Sequence, residues 1–507
     1  MLNRTIIDYL EDRAAECPEK RAVSDRDSVL TWRGLKEEAE GVGHVLAEFL
    51  EKGSPVAIFA EKTVHVLSCM YGAVYAGGFY VSINPEQPAE RIRRILDVLE
   101  PAAVIVDASL EDTLKATGFE GRVLPMEDLL ERVSGGKYDS DLAPIREAMG
   151  RDDLLYAVFT SGSTGVPKGV AVSQGAVIDF IGHFTEIFGI RGDDVLGGQA
   201  PFDFDVSVKD IYSSLMTGAE MVMIPREYFS TVARLLDYLI ERRVSVVIWA
   251  VSALCIISGM KGFDYKVPDG LRLIMFSGEV MPIKHLRLWQ RAVPGAEYVN
   301  LYGPSEITCN CTYYRIGERD ENMTKIPIGI PFPGREIILL DPDRKPVTEK
   351  GATGELCVAG ESLAAGYYHN PEQTQDRFIS YTFPDGSVKR TYRTGDACYL
   401  GEDGNYYFAG RVDFQIKHMG HRIELEEIET NLGLLEGLTR ACCVFQEEKN
   451  RIVAFYTGTA EPRELRRALK EKVPVYMVPN KFIRLESLPL NKNGKIDRAR
   501  IRKEQGI

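Results

Sequence analysis

The 507 residues exceed what a single hydrophobic core organises, so two or more domains are expected. With 45% hydrophobic and 27% charged residues and no repeat or low-complexity tract, the chain reads as globular, neither disordered nor fibrous. A formal net charge of -13 argues against nucleic-acid binding, because phosphate backbones require a local excess of Lys and Arg.

In chain order, "MLNRTIIDYLEDRAAE" meets Arg4 and Asp8 too early for an export signal. A helix is predicted over residues 30–52, and helices of that kind alternate with short apolar strands such as "PVAIFA", "AAVIVD", "AEMVMIP" and "LRLIMFSGE". Strand then helix, repeated, predicts an α/β body of parallel-type sheets covered on both faces. Two uncharged runs, "LSCMYGAVYAGGFYVSINP" and "VSVVIWAVSALCIISGM", are shorter than the roughly 20 strongly apolar residues a membrane span needs, and both contain small or polar residues. They read as buried core, the second opening as a strand after the amphipathic "TVARLLDYLIERR".

From about Pro333 the texture becomes strands and turns, "GREIILLDPDRKPV", "GELCVAG", "ACYLGEDGNYYFAGRVD", which predicts a β-rich subdomain over 333–412 closing an N-terminal region of 1–412. Beyond it, "ELEEIETNL", "ACCVFQ", "RIVAFYTG", "PRELRRALKEK" and a basic tail predict a small, mobile α+β domain over 413–507. Charge shifts at the same place: from Phe414 onward 18 Lys+Arg face 13 Asp+Glu, a net of +5, against -18 for the rest. The nine cysteines show no paired zinc spacing, so reduced thiols and a cytoplasmic location are expected.

"FTSGSTGVPKGV" surrounds one Lys with Gly, Ser and Thr. Lys168 follows Pro167 and precedes Gly169, so the spacing is not that of a Walker loop. Backbone N–H groups freed by Gly162, Gly165 and Gly169, with the hydroxyls of Ser161, Ser163 and Thr164, would instead form a mobile anion nest to which Lys168 adds charge. Further on, Glu306 in "NLYGPSEIT", Asp396 in "YRTGDACYL", Arg411 and Asp413 in "GRVDFQIKHMGHRIE" and Lys495 in "NKNGKIDR" sit at Gly-punctuated turns, where ligand-contacting groups collect.

Together and in this order, over nearly the whole length, these motifs resemble the adenylate-forming superfamily of acyl-CoA synthetases, luciferases and the amino-acid adenylation domains of nonribosomal peptide synthetases. The resemblance implies that ATP and Mg²⁺ are used. Thr160 and the loop after it would hold the β- and γ-phosphates, and the catalytic residues would be Lys495, Lys168 and Glu306. Lys495 would bridge the substrate carboxylate and the α-phosphate, and Glu306 would hold Mg²⁺. Asp396 would accept the ribose hydroxyls with help from Arg411. Tyr302 would pack on adenine beside Gly303, and Asn300 and the backbone near Gly278 would read its edge. Ser305 stands where the family often has Thr. Asp413 corresponds to a hinge about which the C-terminal domain rotates, withdrawing Lys495 and presenting the face around Gly420 to an incoming thiol.

Within "FDFDVSVKDIYSSL", Asp205 matches the acidic residue that adenylation domains pair with a substrate α-ammonium, a group acyl-CoA synthetases do not have to satisfy. The same resemblance places Val206, Lys209, Ser252, Met275, Ser277, Leu301, Cys309 and Asn310 around a small-to-medium, polar pocket. The chain also looks like the D-alanine:carrier protein ligases, except that Lys209 replaces an apolar residue; it would either snorkel out or meet an acidic or hydroxylated side chain. The sequence stops soon after "NKNGKIDR", so the expectation is a stand-alone enzyme that activates a small or polar amino acid and passes it, in trans, to the phosphopantetheine thiol of an acidic carrier protein. Beside it stand an acyl-CoA or aryl-CoA ligase using free CoA, and a catalytically silent adenylate-binding scaffold.

Overall fold

A computed structural model of the chain describes residues 4–136, 138–162, 166–317, 323–490 and 496–506. The apolar, β-branched strands Pro55–Phe59, Phe79–Ile83 and Ala103–Val106 lie side by side and parallel, almost wholly buried, as strands covered on both faces must be. They form the middle of a seven-stranded sheet. At one side of it Leu154–Thr160 continues the parallel run and pairs antiparallel with Lys168–Ser173.

A second, nine-stranded sheet is parallel through Arg21–Ser24, Glu220–Met223, Val195–Gly198, Val246–Ala250, Leu273–Ser277 and Glu297–Tyr302, and antiparallel at both ends. Two parallel-type sheets with helices were the expectation, and they are found.

The predicted helix over 30–52 is shorter. Leu30 belongs to the strand Val29–Thr31, and the Thr31 hydroxyl accepts from Gly34 N, which starts the helix Trp32–Ala47. The two uncharged runs fold as buried helix and strand, Val64–Tyr75 with Phe79–Ile83 and Val246–Ala250 with Val251–Gly259. No described helix is long and apolar enough to cross a membrane.

The β-rich stretch is one five-stranded antiparallel sheet of Arg335–Leu340, Thr353–Gly360, Phe378–Thr382, Val388–Leu400 and Tyr406–Arg411. After it comes an unforeseen hairpin, Gln415–His418 with His421–Glu424, whose turn residues Met419 and Gly420 both have positive φ (54° and 81°), the backbone a two-residue hairpin turn requires. The last body is a three-stranded sheet, Leu438–Gln446, Arg451–Gly458 and Lys481–Arg484. The helices Leu425–Gly433 and Pro462–Lys470 cover one face of it with Ile428, Leu432, Leu465 and Leu469.

On the other face the basic tail is a helix, Arg498–Gln505. The Asp497 carboxylate caps it by accepting from Arg500 N, and Ile501 anchors it among Cys442, Val444 and Phe455. With one apolar anchor in eight residues, no periodic signal marked it.

Candidate functional site

The site gathers where strand ends of both large sheets meet the hairpin of the C-terminal body. Thr160 and Lys168 face each other as the last pair of an antiparallel ladder, one at each end of the Gly-rich stretch. A Cβ on Gly162 would stand 2.1 Å from Val166 O, so only glycine fits there. Ser163, Thr164, Gly165 and Lys495 lie outside the described residues.

The described part of the loop is held from the far side of the domain boundary. Ser161 Oγ donates to Arg422 O at 2.9 Å and accepts from Glu424 N at 3.1 Å, and Gly162 N donates to Glu427 Oε2 at 3.2 Å. Glu427 in turn pairs with Arg91, both buried. A carboxylate on a loop amide is the anion such a nest is built to accept.

Glu306, fully buried in the turn after the strand Glu297–Tyr302, is the centre of the cluster. Arg422 Nη1 donates to both of its oxygens, at 3.0 and 2.7 Å, and Tyr367 Oη donates at 2.7 Å. Burial alone would raise this carboxyl, but the facing Arg422 guanidinium and the Lys168 ammonium pull it down to about 2. Lys168 lies over the Tyr367 ring at 4.9 Å, and burial, reinforced by repulsion from Arg422, lowers its ammonium to about 8. An ionised, buried carboxylate suits Mg²⁺, a hard cation that takes one or two protein carboxylates and completes its shell with phosphate and water. Here Arg422 occupies that carboxylate.

Along the neighbouring edge Tyr302 Oη donates to Asp396 Oδ2, and Arg411 links two carboxylates, reaching Asp396 Oδ1 at 2.6 Å and Asp413 through Nε and Nη2 at 2.6 and 2.7 Å. Burial pushes Asp413 up, but these bonds to Arg411 leave it below the usual carboxylate range. Lys417, from the hairpin, lies 5.4 Å over the Tyr302 ring. Asn300 Nδ2 donates to Pro327 O at 2.7 Å, fastening a loop across the sheet edge.

A second group is built on the helix Val206–Thr217. Asp205 occupies its N-cap position, yet the side chain makes no capping bond. It is buried, and burial raises its carboxyl. Val206, Met275, Leu301, Cys309 and Asn310 are also buried, and Cys309 Sγ donates to Asp205 O at 3.1 Å. Thr308 and Cys309 both have positive φ, 54° and 74°, an uncommon pair for non-glycine residues and a mark of a loop held in shape by its surroundings. Lys209 does not snorkel: it is 1% exposed and donates to Asn310 Oδ1 at 2.9 Å and Ser277 Oγ at 3.4 Å.

Beside this group opens a cleft of about 530 Å³, lined among others by Phe204, Ala250, Ser252, Gly420, His421 and Tyr476. Gly420 N donates to Glu279 Oε1 at 3.0 Å, and a side chain there would begin 3.4 Å from Ala250 Cβ and 3.6 Å from Ser252 Oγ. Gly278 lies opposite, 3.9 Å from Gly420 O to where its Cβ would be. His421 stacks on Tyr476 with ring centroids 3.7 Å apart, and burial lowers it to about 4, so it is neutral near pH 7. The structure thus brings Glu306 to Arg422, Asp396 to Arg411, Lys209 to Asn310 and Ser277, and Gly278 to Gly420. Sequence reading singled out neither Arg422, Lys417, Glu427 and His421 nor Arg91. The first four lie within or next to the quoted "GRVDFQIKHMGHRIE", where the pattern shows a motif but not which side chains cross the boundary.

Residues 10–368 match the family model described as AMP-binding enzyme, and residues 427–495 match that of the AMP-binding enzyme C-terminal domain. Bacitracin synthase 1 of Bacillus licheniformis is 34% identical over 502 residues, which cover 98% of this chain and 9% of that protein. The chain spans between 6% and 19% of the length of the curated relatives it matches. Among solved structures, NpsA-ThdA, an artificially fused adenylation-PCP di-domain from Klebsiella oxytoca, superposes with a TM-score of 0.84 at 23% identity, covering 100% of this chain and 98% of that one. The Vibrio cholerae adenylation domain AlmE in complex with glycyl-adenosine-5'-phosphate superposes with a TM-score of 0.85 at 22% identity, again covering 100% and 98%. At these identities the two structures speak for the fold.

Proposed function

This chain belongs to the AMP-binding enzyme family, and on that premise we propose that it activates an amino acid as its aminoacyl adenylate and then transfers it to the phosphopantetheine thiol of a carrier protein. The observation that carries the reading is a buried carboxylate, Asp205, that neither caps its helix nor forms an ion pair among the described residues, and that Ser305 reaches by a hydrogen bond. An α-ammonium supplies the missing cation there. A fatty or aryl acid would leave that charge buried and uncompensated, which disfavours the CoA-ligase alternative.

In the first half-reaction a carboxylate oxygen attacks the α-phosphorus and pyrophosphate leaves with the bonding pair. Anion meets anion, so the work is neutralisation and alignment. Lys168 and the loop amides would steady the β- and γ-phosphates, Asp396 the ribose hydroxyls and Lys495 the two reacting groups. Glu306 would hold Mg²⁺, which supplies positive charge to the phosphates. In the second, the thiol sulfur attacks the acyl carbon and AMP leaves.

The arrangement described above suits this second step: Arg422 stands on Glu306, Gly420 lines the cleft by which a pantetheine arm would enter, and Asp413 is the residue about which the C-terminal domain would turn. A carrier partner agrees with the adenylation-PCP description of one structural neighbour and with the net charge of +5 from Phe414 onward, which favours an acidic surface. The place of action would be the cytoplasm.

The test is amino-acid-dependent exchange between ATP and pyrophosphate over a panel of D-alanine, L-alanine, serine, aspartate and glutamate, followed by loading of a phosphopantetheinyl carrier. Failure of every amino acid to give an acyl-AMP in the presence of magnesium would overturn the proposal.

A further inference from the structure

One turn of helix beyond Asp205 the pocket holds a second buried charge. Residues four apart in the helix Val206–Thr217 and its N-cap project from one face, so Asp205 and Lys209 open onto the same side. The partners of Lys209 are neutral, the Asn310 side-chain carbonyl at 2.9 Å and the Ser277 hydroxyl at 3.4 Å, and among the described residues it forms no ion pair.

Asp205 attracts Lys209 without forming an ion pair among the described residues, and so does the adjacent acid, Asp210. It lies in a separate small recess with Lys62, Phe202, Met221 and Met223, and neither of its oxygens has a hydrogen-bond partner. In that recess Lys62 Nζ is taken by the carbonyls of Gly198, Gln199 and Ala200 at 3.0 to 3.2 Å. Lys209 is therefore pinned by two neutral groups, 1% exposed and lacking an anion in contact. A buried ammonium in that state is costly unless an anion arrives, and the polar contacts fix where that anion must sit.

Resting on Asp205 as the partner of the α-ammonium, we infer that the amino acid activated here is acidic, its side-chain carboxylate pairing with Lys209 and accepting from the Ser277 hydroxyl. The substrate then spans the pocket as a dipole matched to it, ammonium on Asp205 and carboxylate one helical turn on. A serine or alanine side chain leaves Lys209 without its anion, and a basic one is repelled.

The experiment is ATP–pyrophosphate exchange on the full chain with glutamate, aspartate, glutamine, asparagine, serine and alanine in both chiralities. One acidic amino acid is expected to exceed its own amide by about 100-fold or more in kcat/KM, because the amide leaves the ammonium unpaired. Lys209→Met should collapse that ratio at least about tenfold by removing acid usage rather than all usage. If serine, alanine or an amide is preferred, the inference is wrong while adenylation stands. If no amino acid exchanges, both readings fall. Should Lys209→Met not fold, the acid-to-amide ratio of the unaltered protein decides alone.

Discussion

Around Glu306 the buried charges are paired across the domain boundary, Arg422 with Glu306 and Arg91 with Glu427. On the helix Val206–Thr217 and its N-cap, Asp205 and Lys209 are also buried and have no ion-pair partner among the described residues. Both arrangements cost desolvation, and the first recovers it through direct ion pairs. The pairs at the boundary tie residues before 413 to residues after it. Under the proposal, the charges without ion pairs are the ones that meet the substrate.

The contrast is attacked hardest through Lys495. If the boundary pairs serve thiol transfer alone, the other half-reaction depends on a different cation, and Lys495→Ala should lower adenylation by about 10²- to 10³-fold. Transfer from a pre-made adenylate should stay near its original rate; equal losses in both half-reactions would contradict the division.

Next comes the unpaired side. Asp205→Ala should reduce kcat/KM for the cognate amino acid about 100-fold while changing the matching deaminated acid by only a few-fold, since only the former brings an ammonium. Similar losses for both acids would show that Asp205 is structural.

On the paired side, Arg422→Ala leaves Glu306 without its partner in the closed arrangement. Thioester formation should slow by about 10- to 100-fold, with ATP–pyrophosphate exchange within about threefold of the original. A larger fall in exchange than in thioester formation would place Arg422 in the wrong state.

The smallest effect is a pH dependence. Lys168 is lowered to about 8 by burial and by Arg422, so it carries its proton below that pH and loses it above. Bound triphosphate favours the charged form, so the KM for ATP should rise as pH passes upward through about 8, by less than about tenfold per unit, and should be flat below. Lys168→Arg should flatten the profile, because a guanidinium stays charged throughout.

The fold was legible wherever one residue pattern admits one environment. Continuous runs such as "PVAIFA" and "LRLIMFSGE" can only be buried parallel strands, and the change of texture near 333 and of charge near 413 marks the sheet and the terminal body that follow. The terminal helix stayed hidden because its stability comes from a cap and one anchored Ile501, which no period reveals.

In the site, the Gly-rich loop, Glu306, Asp396, Arg411 and Asp205 were legible because motifs keep their chemistry in local spacing. By itself the sequence determined the layered α/β architecture and the motifs of the family. Tertiary structure alone decided which charges meet. Arg422 faces Glu306 across 116 positions of chain and Arg91 faces Glu427 across 336, whereas Lys209 is held by the neutral Asn310 and Ser277. Coulombic pairing depends on distance and dielectric after folding, and linear order carries neither.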